Sequence, residues 1–251
     1  AGSFIELFRN YAALFRLGAR QITGLVGNVA FPRQIGSGTA YWTGEAPTAD
    51  VTASHLQIDL VPMSPKTLMS QTALSKQLQR QAGSADVGVE ALVRQDIAKM
   101  HALELDRVGI LGTGTNNQPT GLLTASGVQS YTLGANGAVP TFDHVVDIMT
   151  ALADVNAADA TGILTTPGIA GRLMKTQKFA STNGQAVWTG SFQNGRVEPG
   201  YLGVGTNQMP KNLTKGTATT ICHALIAGDF GELLFGEWGG FEIEVDPYTL
   251  M

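Results

Sequence analysis

The residues with the clearest capacity for chemistry lie in GILGTGTNNQPTGLL, residues 109–123, where glycines, threonines and asparagines follow a helical pattern. Loops of this type can cradle phosphate with their backbone amides. A Walker-type loop also needs a lysine after its last glycine, and no glycine in this chain is followed by lysine. A dinucleotide fingerprint needs GxGxxG between a strand and a helix. Here the loop follows a helix, Asn117 takes the place of the third glycine, and Pro119 comes soon after. Gly112 and Gly114 therefore read as a helix C-cap and a turn residue, and the loop as a chain reversal that holds no phosphate.

The other reactive side chains give no constellation. His55, His101, His144 and His223 are far apart, with no HExxH or HxH pair among them. His101 and Glu104 share a helical face, a pairing usually solvated. No GxSxG nucleophile elbow occurs. The single cysteine, Cys222, excludes an intramolecular disulfide and a CxxC zinc site, and TTICHALIA reads as a buried strand in which it serves as a small apolar residue. The carboxylates of FEIEVD could form an acid/base pair, but their alternation puts Glu242, Glu244 and Asp246 on one strand face, as on a solvent or interface side. No catalytic residue, cofactor site or metal site is assigned, and the chain reads as structural rather than enzymatic.

Composition points the same way. Charged residues make up 14% of 251, against roughly 25% in an ordinary domain, and there are 31 glycines. The 43% apolar content is too high for a disordered glycine-rich chain. A surface poor in charge suits a protein that covers itself with its own copies. A net charge of −4 argues against wholesale nucleic-acid binding. The charge is also segregated: residues 1–33 hold Arg9, Arg16, Arg20 and Arg33 against Glu6, whereas no basic residue follows Lys215 and six carboxylates do. A basic start and an acidic end could be complementary between neighbouring subunits. No apolar run reaches the ~18 residues of a membrane span, and no signal peptide is visible.

The pattern predicts a helix over 4–19 ending at Gly18, and a short strand over 26–33 ending at its proline. A two-stranded excursion with little core of its own follows over 35–68, with loose alternation of Leu56, Ile58 and Leu60 against Gln57 and Asp59. Residues 84–111 predict a long helix capped by Ser84, with an apolar stripe of Val89, Val93, Ile97, Met100, Val108 and Leu111, and with Glu90–Arg94 and Asp96–Lys99 as helix-spaced pairs. A second helix is expected over 141–155, a buried strand running into a helix over 161–176, and strands from 216 onward. GVGTNQMP (203–210) is like GTGTNNQP (112–119), and two similar turns explain it. Helix and strand runs without βαβ regularity imply an α+β fold.

In order and wording these segments resemble the major capsid proteins of tailed bacteriophages, the family with the Hong Kong 97-like fold. LGARQITGLVGNVAFPRQ is similar to the stretch leading into that family's extended loop, and AYWTGE to the loop's start. DRVGILGTGTNNQPTGLL looks like the end of a spine helix with its Gly-rich turn. PGYLGVGTNQMP resembles a late segment of the axial domain, and AGDFGELLFGEWGGFEIEVDPY the closing strands of the peripheral domain. The resemblance covers essentially the whole chain.

It implies an N-terminal arm over 1–33, an extended loop over 34–67, a peripheral domain over 68–140 and 226–251, and an axial domain over 141–225. It implies a structural subunit that assembles with itself as pentamers and hexamers into an icosahedral shell around double-stranded DNA. The implied partners are portal, scaffold or protease and cement proteins, with no membrane. The implied location is the virion, after assembly in the host cytoplasm. Candidate subunit-interface residues are Arg9, Arg16, Arg20, Trp42, Glu45, Asp229, Glu242 and Glu244.

Some members of the family lock their shells with a Lys–Asn isopeptide bond. Residues 34–65 contain no lysine, Lys66 lies at the loop's base, the wrong end, and no asparagine follows Asn212, so the expected shell is not cross-linked. A start at Ala1 is consistent with removal of a scaffolding segment. The alternative within the fold is an encapsulin-like compartment that packages a cargo enzyme. From another class, the alternative is a small-ligand enzyme using the 112–121 loop.

Overall fold

The computed structural model describes residues 12–43, 45, 52–75, 77, 89–155, 159–179, 184–211, 213, 222–240 and 242–244. In chain order the first elements are α1 (Ala13–Arg16), β1 (Arg20–Ile22), β2 (Val29–Gly36), β3 (Gln57–Met63), α2 (Val89–Leu111) and α3 (Phe142–Asp154). They are followed by β4 (Gly162–Thr165), α4 (Pro167–Lys175), β5 (Trp188–Gly190), β6 (Gly195–Val197), β7 (Tyr201–Gly205) and β8 (Leu225–Gly228). A 3-10 turn (Phe230–Glu232) and β9 (Leu234–Gly236) complete the series. The chain forms two compact units, a larger one of residues 1–20 and 66–235 and a smaller one of residues 21–65 and 236–251.

The larger unit is built on a five-stranded sheet of order β5-β6-β7-β4-β8. Only the β4–β7 pair is parallel, which gives the mixed sheet of an α+β fold. All four residues of β4 are buried, and their alternation serves two cores. Leu164 joins Ala13, Leu14, Leu17, Ile110, Val204, Met209 and Phe230 in one cluster. Ile163 joins Val145, Ala170, Leu173, Val187, Trp188 and Val197 in the other. The Trp188 ring lies on two glycines: a Cβ on Gly195 or Gly203 would come within 2.2 or 2.6 Å of it. The strand-to-helix passage at 161–176 forms as expected, because Thr166 caps α4 and Pro167 starts it.

Helix α2 departs from the predicted stripe. Its fully buried line is Ala98, Ala102, Asp106 and Ile110, spaced by four, whereas Met100 is 43% exposed. Two alanines and a carboxylate do not register as an apolar stripe, yet small side chains let a neighbour approach closely. Ser84 and the Glu90 side chain, and so the Glu90–Arg94 pair, lie outside the described residues. Glu104 turns to Arg107 rather than to His101, with Oε2 2.8 Å from the guanidinium Nε. Cys222 is half-buried in a single bridge to Leu213; the strand expected around it begins only at Leu225, and it is half-buried rather than buried.

In the smaller unit β2 and β3 form an antiparallel ribbon, with Val29 opposite Met63 and Gln34 opposite Ile58. The strand predicted to end at Pro32 continues through it to Gly36. A two-stranded ribbon has two outer edges, where a residue without an N–H disturbs no ladder. The ribbon thus begins within the span that the resemblance gave to the arm. In the same unit Glu237 is held on three sides: its N–H donates to Ile22 O at 2.8 Å, its carbonyl accepts from Leu25, and its carboxylate accepts from the Gln21 amide at 2.5 Å.

Candidate assembly surfaces

The glycine-rich stretch 112–121 is a miniature hairpin. Asn116 and Asn117 both have left-handed backbones, φ 51° and 61°, and Gln118 N–H donates to Thr115 O at 3.0 Å. Two consecutive positive φ values define the tight reversal that favours Asn and Gly. Thr113 bridges to Thr120, Gly114 N–H donates to Pro119 O, and Gly121 N–H donates to Gly112 O at 2.9 Å. The Thr124 hydroxyl bonds to the Gly112 and Gly121 carbonyls. A phosphate cradle needs amides aimed at an open centre, whereas these are spent on the chain's own carbonyls. Gly112 and Gly121 are glycines because their backbones touch: a Cβ on Gly121 would lie 2.4 Å from Gly112 N.

In the same unit, α1 is plugged into α2. The Asp106 carboxylate accepts the Ala13 amide at 2.6 Å and the Leu14 amide at 3.2 Å. It thus supplies the cap that Ala12, the residue at the N-cap position, cannot. Burial pushes the Asp106 carboxyl above its ordinary value, against the pull of these two amides and of the Arg16 charge. The segment 12–17 is therefore part of this chain's own core. Arg16 donates to Gln193 O at 3.1 Å, and its Nε is buried with no hydrogen-bond partner among the described residues.

The other interface candidates are distributed as follows. Arg9 lies outside the described residues. Arg20 has an exposed side chain, and its N–H donates to Leu233 O at 2.9 Å. The Asp229 side chain caps the 3-10 turn through Gly231 N–H at 2.9 Å, so it has a task within its own chain. Trp42 and Glu45, beyond the end of β2, are exposed, Trp42 completely. Glu242 and Glu244 are exposed on either side of half-buried Ile243, and no strand forms over these three residues; Phe241, Val245 and Asp246 lie outside the described residues.

The surface that residue types alone do not reveal is the ribbon. Directly opposed residues of an antiparallel pair point to one face. One face carries Val29, Met63, Phe31, Val61 and the Arg33–Asp59 ion pair at 3.2 Å. The other carries Ala30, Pro62, Pro32, Leu60, Gln34 and Ile58. Every residue of this second face is exposed and none is charged; Leu60 and Ile58 are 61% and 58% exposed. The signal in the sequence is the even spacing of these residues with prolines at 32 and 62. Among the described residues no group of His, Cys, Asp and Glu is placed to hold a metal, and no helix is long and apolar enough to cross a membrane.

Comparison with known proteins places this architecture. The chain is 30% identical over 250 residues to the major capsid protein of Halomonas phage phiHAP-1, covering 98% of this chain and 37% of that protein. It is 28% identical to the major capsid protein of Klebsiella oxytoca phage phiKO2, covering 96% of this chain and 54% of that protein. The chain thus spans about a third to a half of the length of these curated relatives. Among solved structures, the capsid of a native GTA particle superposes with a TM-score of 0.68 at 22% identity, over 94% of this chain and 80% of that one. Mycobacterium phage Ogopogo gives a TM-score of 0.63 at 16% identity, over 88% and 74%. These likenesses show the Hong Kong 97-like fold of phage capsids. The phage capsid family matches residues 1–251 without a break, and this chain belongs to that family.

Proposed function

We propose that this chain is the shell-forming part of a phage major capsid protein. Its copies associate as pentamers and hexamers that close an icosahedral shell around double-stranded DNA. The observation that carries the reading is the family match over all 251 residues, and the charge-free exposed face of the ribbon is the surface expected of a subunit that buries itself against its copies. In this reading α2 is the spine helix of a peripheral domain formed by 68–140 and 226–251. Residues 141–225 are the axial domain, residues 34–67 the extended loop over an adjacent copy, and residues 1–33 supply the arm. Since 12–17 is part of the core, the arm's reach falls to the residues before it. The DNA is held without sequence specificity; portal, scaffold or protease, and cement proteins are the further partners. Assembly takes place in the host cytoplasm, and the product is the virion. Both curated relatives are named as phage major capsid proteins, which favours a phage shell over an encapsulin-like compartment.

Size-exclusion chromatography with light scattering, followed by negative-stain imaging of any large peak, tests this. Closed shells or rings of five and six are the expected result. A chain that stays monomeric at every concentration, and also when joined to the remainder of a full-length major capsid protein, would overturn it.

A further inference from the structure

We infer that His144 is a proton-controlled latch on the entry of the chain into α3: neutral, its ring ties Thr141 to the helix, and charged, it lets Thr141 go. The latch is a property of the single chain and does not depend on the capsid reading.

The first observation is the partner of the ring. Thr141 stands at the N-cap position of α3, and its backbone N–H donates to His144 Nδ1 at 3.1 Å. Its hydroxyl lies 2.9 Å from the same nitrogen. A hydroxyl can turn to donate or to accept, but a backbone N–H only donates. Nδ1 must therefore present a lone pair, and the ring is the neutral tautomer with its proton on Nε2. This is the reciprocal half of a capping box, with histidine in the place more often held by Glu or Gln. A second proton sets Nδ1–H against the Thr141 N–H, donor against donor, at a helix end whose dipole also disfavours a cation. Releasing Thr141 loosens the first helical bond as well, from Val145 N–H to Thr141 O at 3.4 Å.

The second observation is the contrast with other ring contacts. His101 Nδ1 lies 2.9 Å from Ile97 O, an acceptor that suits a charged ring as well as a neutral one. His223 Nδ1 lies 2.8 Å from the Thr166 hydroxyl, which can reverse its direction. Of these contacts, that of His144 is the one a proton breaks. His144 is half-buried, so solvent reaches it.

The third observation is the setting. No Asp, Glu, Lys, Arg or His occurs between Arg107 and Asp143, and the described residues between Leu111 and Phe142 form no helix or strand. His144 is thus the group at the end of this uncharged run whose charge changes near neutrality. The other charged groups at this end of α3 are Asp143 and Asp147 on the helix itself. Asp147 accepts from the Tyr131 hydroxyl at 2.8 Å and, one turn on from His144, is the carboxylate to which a charged ring can turn. Lys178 lies 4.9 Å from the centre of the Phe142 ring and is paired with Glu198 at 3.2 Å. Beneath α3, β4 and β8 line its inner face with Ile163, Leu225 and Ala227, none of which titrates.

Hydrogen–deuterium exchange of the full chain, read by mass spectrometry of its peptides at about pH 8 and about pH 5, tests this. Rates are corrected for the intrinsic effect of pH, and the start of α4, whose Thr166 cap meets the adaptable His223 contact, is the internal reference. Relative to it, the amides of Thr141–Val145 should exchange at least about fivefold faster at the lower pH, on the order of one lost hydrogen bond. In His144→Gln the side-chain oxygen accepts at either pH, so the effect should vanish, and in His144→Ala exchange should be fast at both. Circular dichroism reports folding, and the ratio within the parent chain decides the matter if neither variant folds. A parent ratio unchanged by pH, or a pH effect that persists in folded His144→Gln, overturns the inference.

Discussion

Asp106 and Ala13 are 93 residues apart in sequence, and the carboxylate of one holds the backbone N–H of the other at 2.6 Å in a site closed to solvent. The contact joins the beginning of the described chain to its longest helix. Removing the carboxylate leaves two buried amides, of Ala13 and Leu14, without acceptors. Asp106→Ala should therefore cost about 2–4 kcal/mol of unfolding free energy, read from urea denaturation of the chain. A loss within 0.5 kcal/mol, on the order of a neutral surface change, would refute this account of α1.

The same residue gives a pH dependence of known sign. Burial raises the Asp106 carboxyl from its ordinary 3.8. Between that value and the raised one, the folded chain retains a proton that the unfolded chain has released. The stability contributed by this group is thus full below 3.8 and is lost as pH rises through the folded value. Relative to Asp106→Asn, the parent chain should lose stability as pH rises through this window and then level off. A difference between the two that is flat with pH would show that the group titrates normally.

Gly121 is predicted not to tolerate a side chain. Its Cβ would lie 2.4 Å from Gly112 N and 2.7 Å from the Ile110 carbonyl carbon, both backbone atoms. Gly121→Ala should cost about 2–3 kcal/mol, as overpacking against atoms that cannot rotate away. Thr124→Val, which removes the hydroxyl bonded to the Gly112 and Gly121 carbonyls, should cost about 1–2 kcal/mol. Added nucleotide should leave the melting temperature of the parent chain unchanged, because the amides of Gly112, Gly114, Gln118 and Gly121 already donate to the chain's own carbonyls; a concentration-dependent rise would revive the ligand reading.

Glu104 and Arg107 form a pair one turn apart whose hydrogen bond holds the Glu104 carboxyl below its ordinary 4.5. Its contribution is present above 4.5 and is lost as pH falls through the lowered value. Both side chains are about a third exposed, so Arg107→Gln should change stability by less than about 0.5 kcal/mol. It should also move the Glu104 titration, followed by carboxyl NMR, back up toward 4.5.

Particles formed by this chain should run as a single band after boiling in detergent. The one lysine of the 34–67 span, Lys66, lies at its base, and no asparagine follows Asn212 in this sequence, so neither partner of the isopeptide lock is in place. A ladder of covalent multimers would contradict this.

Several elements were legible in the sequence because local chemistry decides them. Thr166 followed by Pro167 must start a helix after a buried strand, and it does. Phe142–Asp154 shows its period in its residue types. The NNQP stretch, with glycines on both sides, specifies a tight reversal wherever it is placed. The family, too, was legible from segments in order. What could not be read was anything set by contact between distant segments. Met100 was expected inside and is outside, while Ala98 and Ala102 are fully buried; helical period fixes which residues share a face but not which face meets the core. Asp106 looks like one more surface carboxylate until α1 brings it two unpartnered amides. Which ribbon residues share the exposed, uncharged face depends on register, because a slip of one residue would exchange Leu60 and Ile58 for Asp59 and Val61. Composition and local geometry are properties of neighbours along the chain, and these the sequence determined. Burial and register are properties of neighbours in space, and only tertiary packing could decide them.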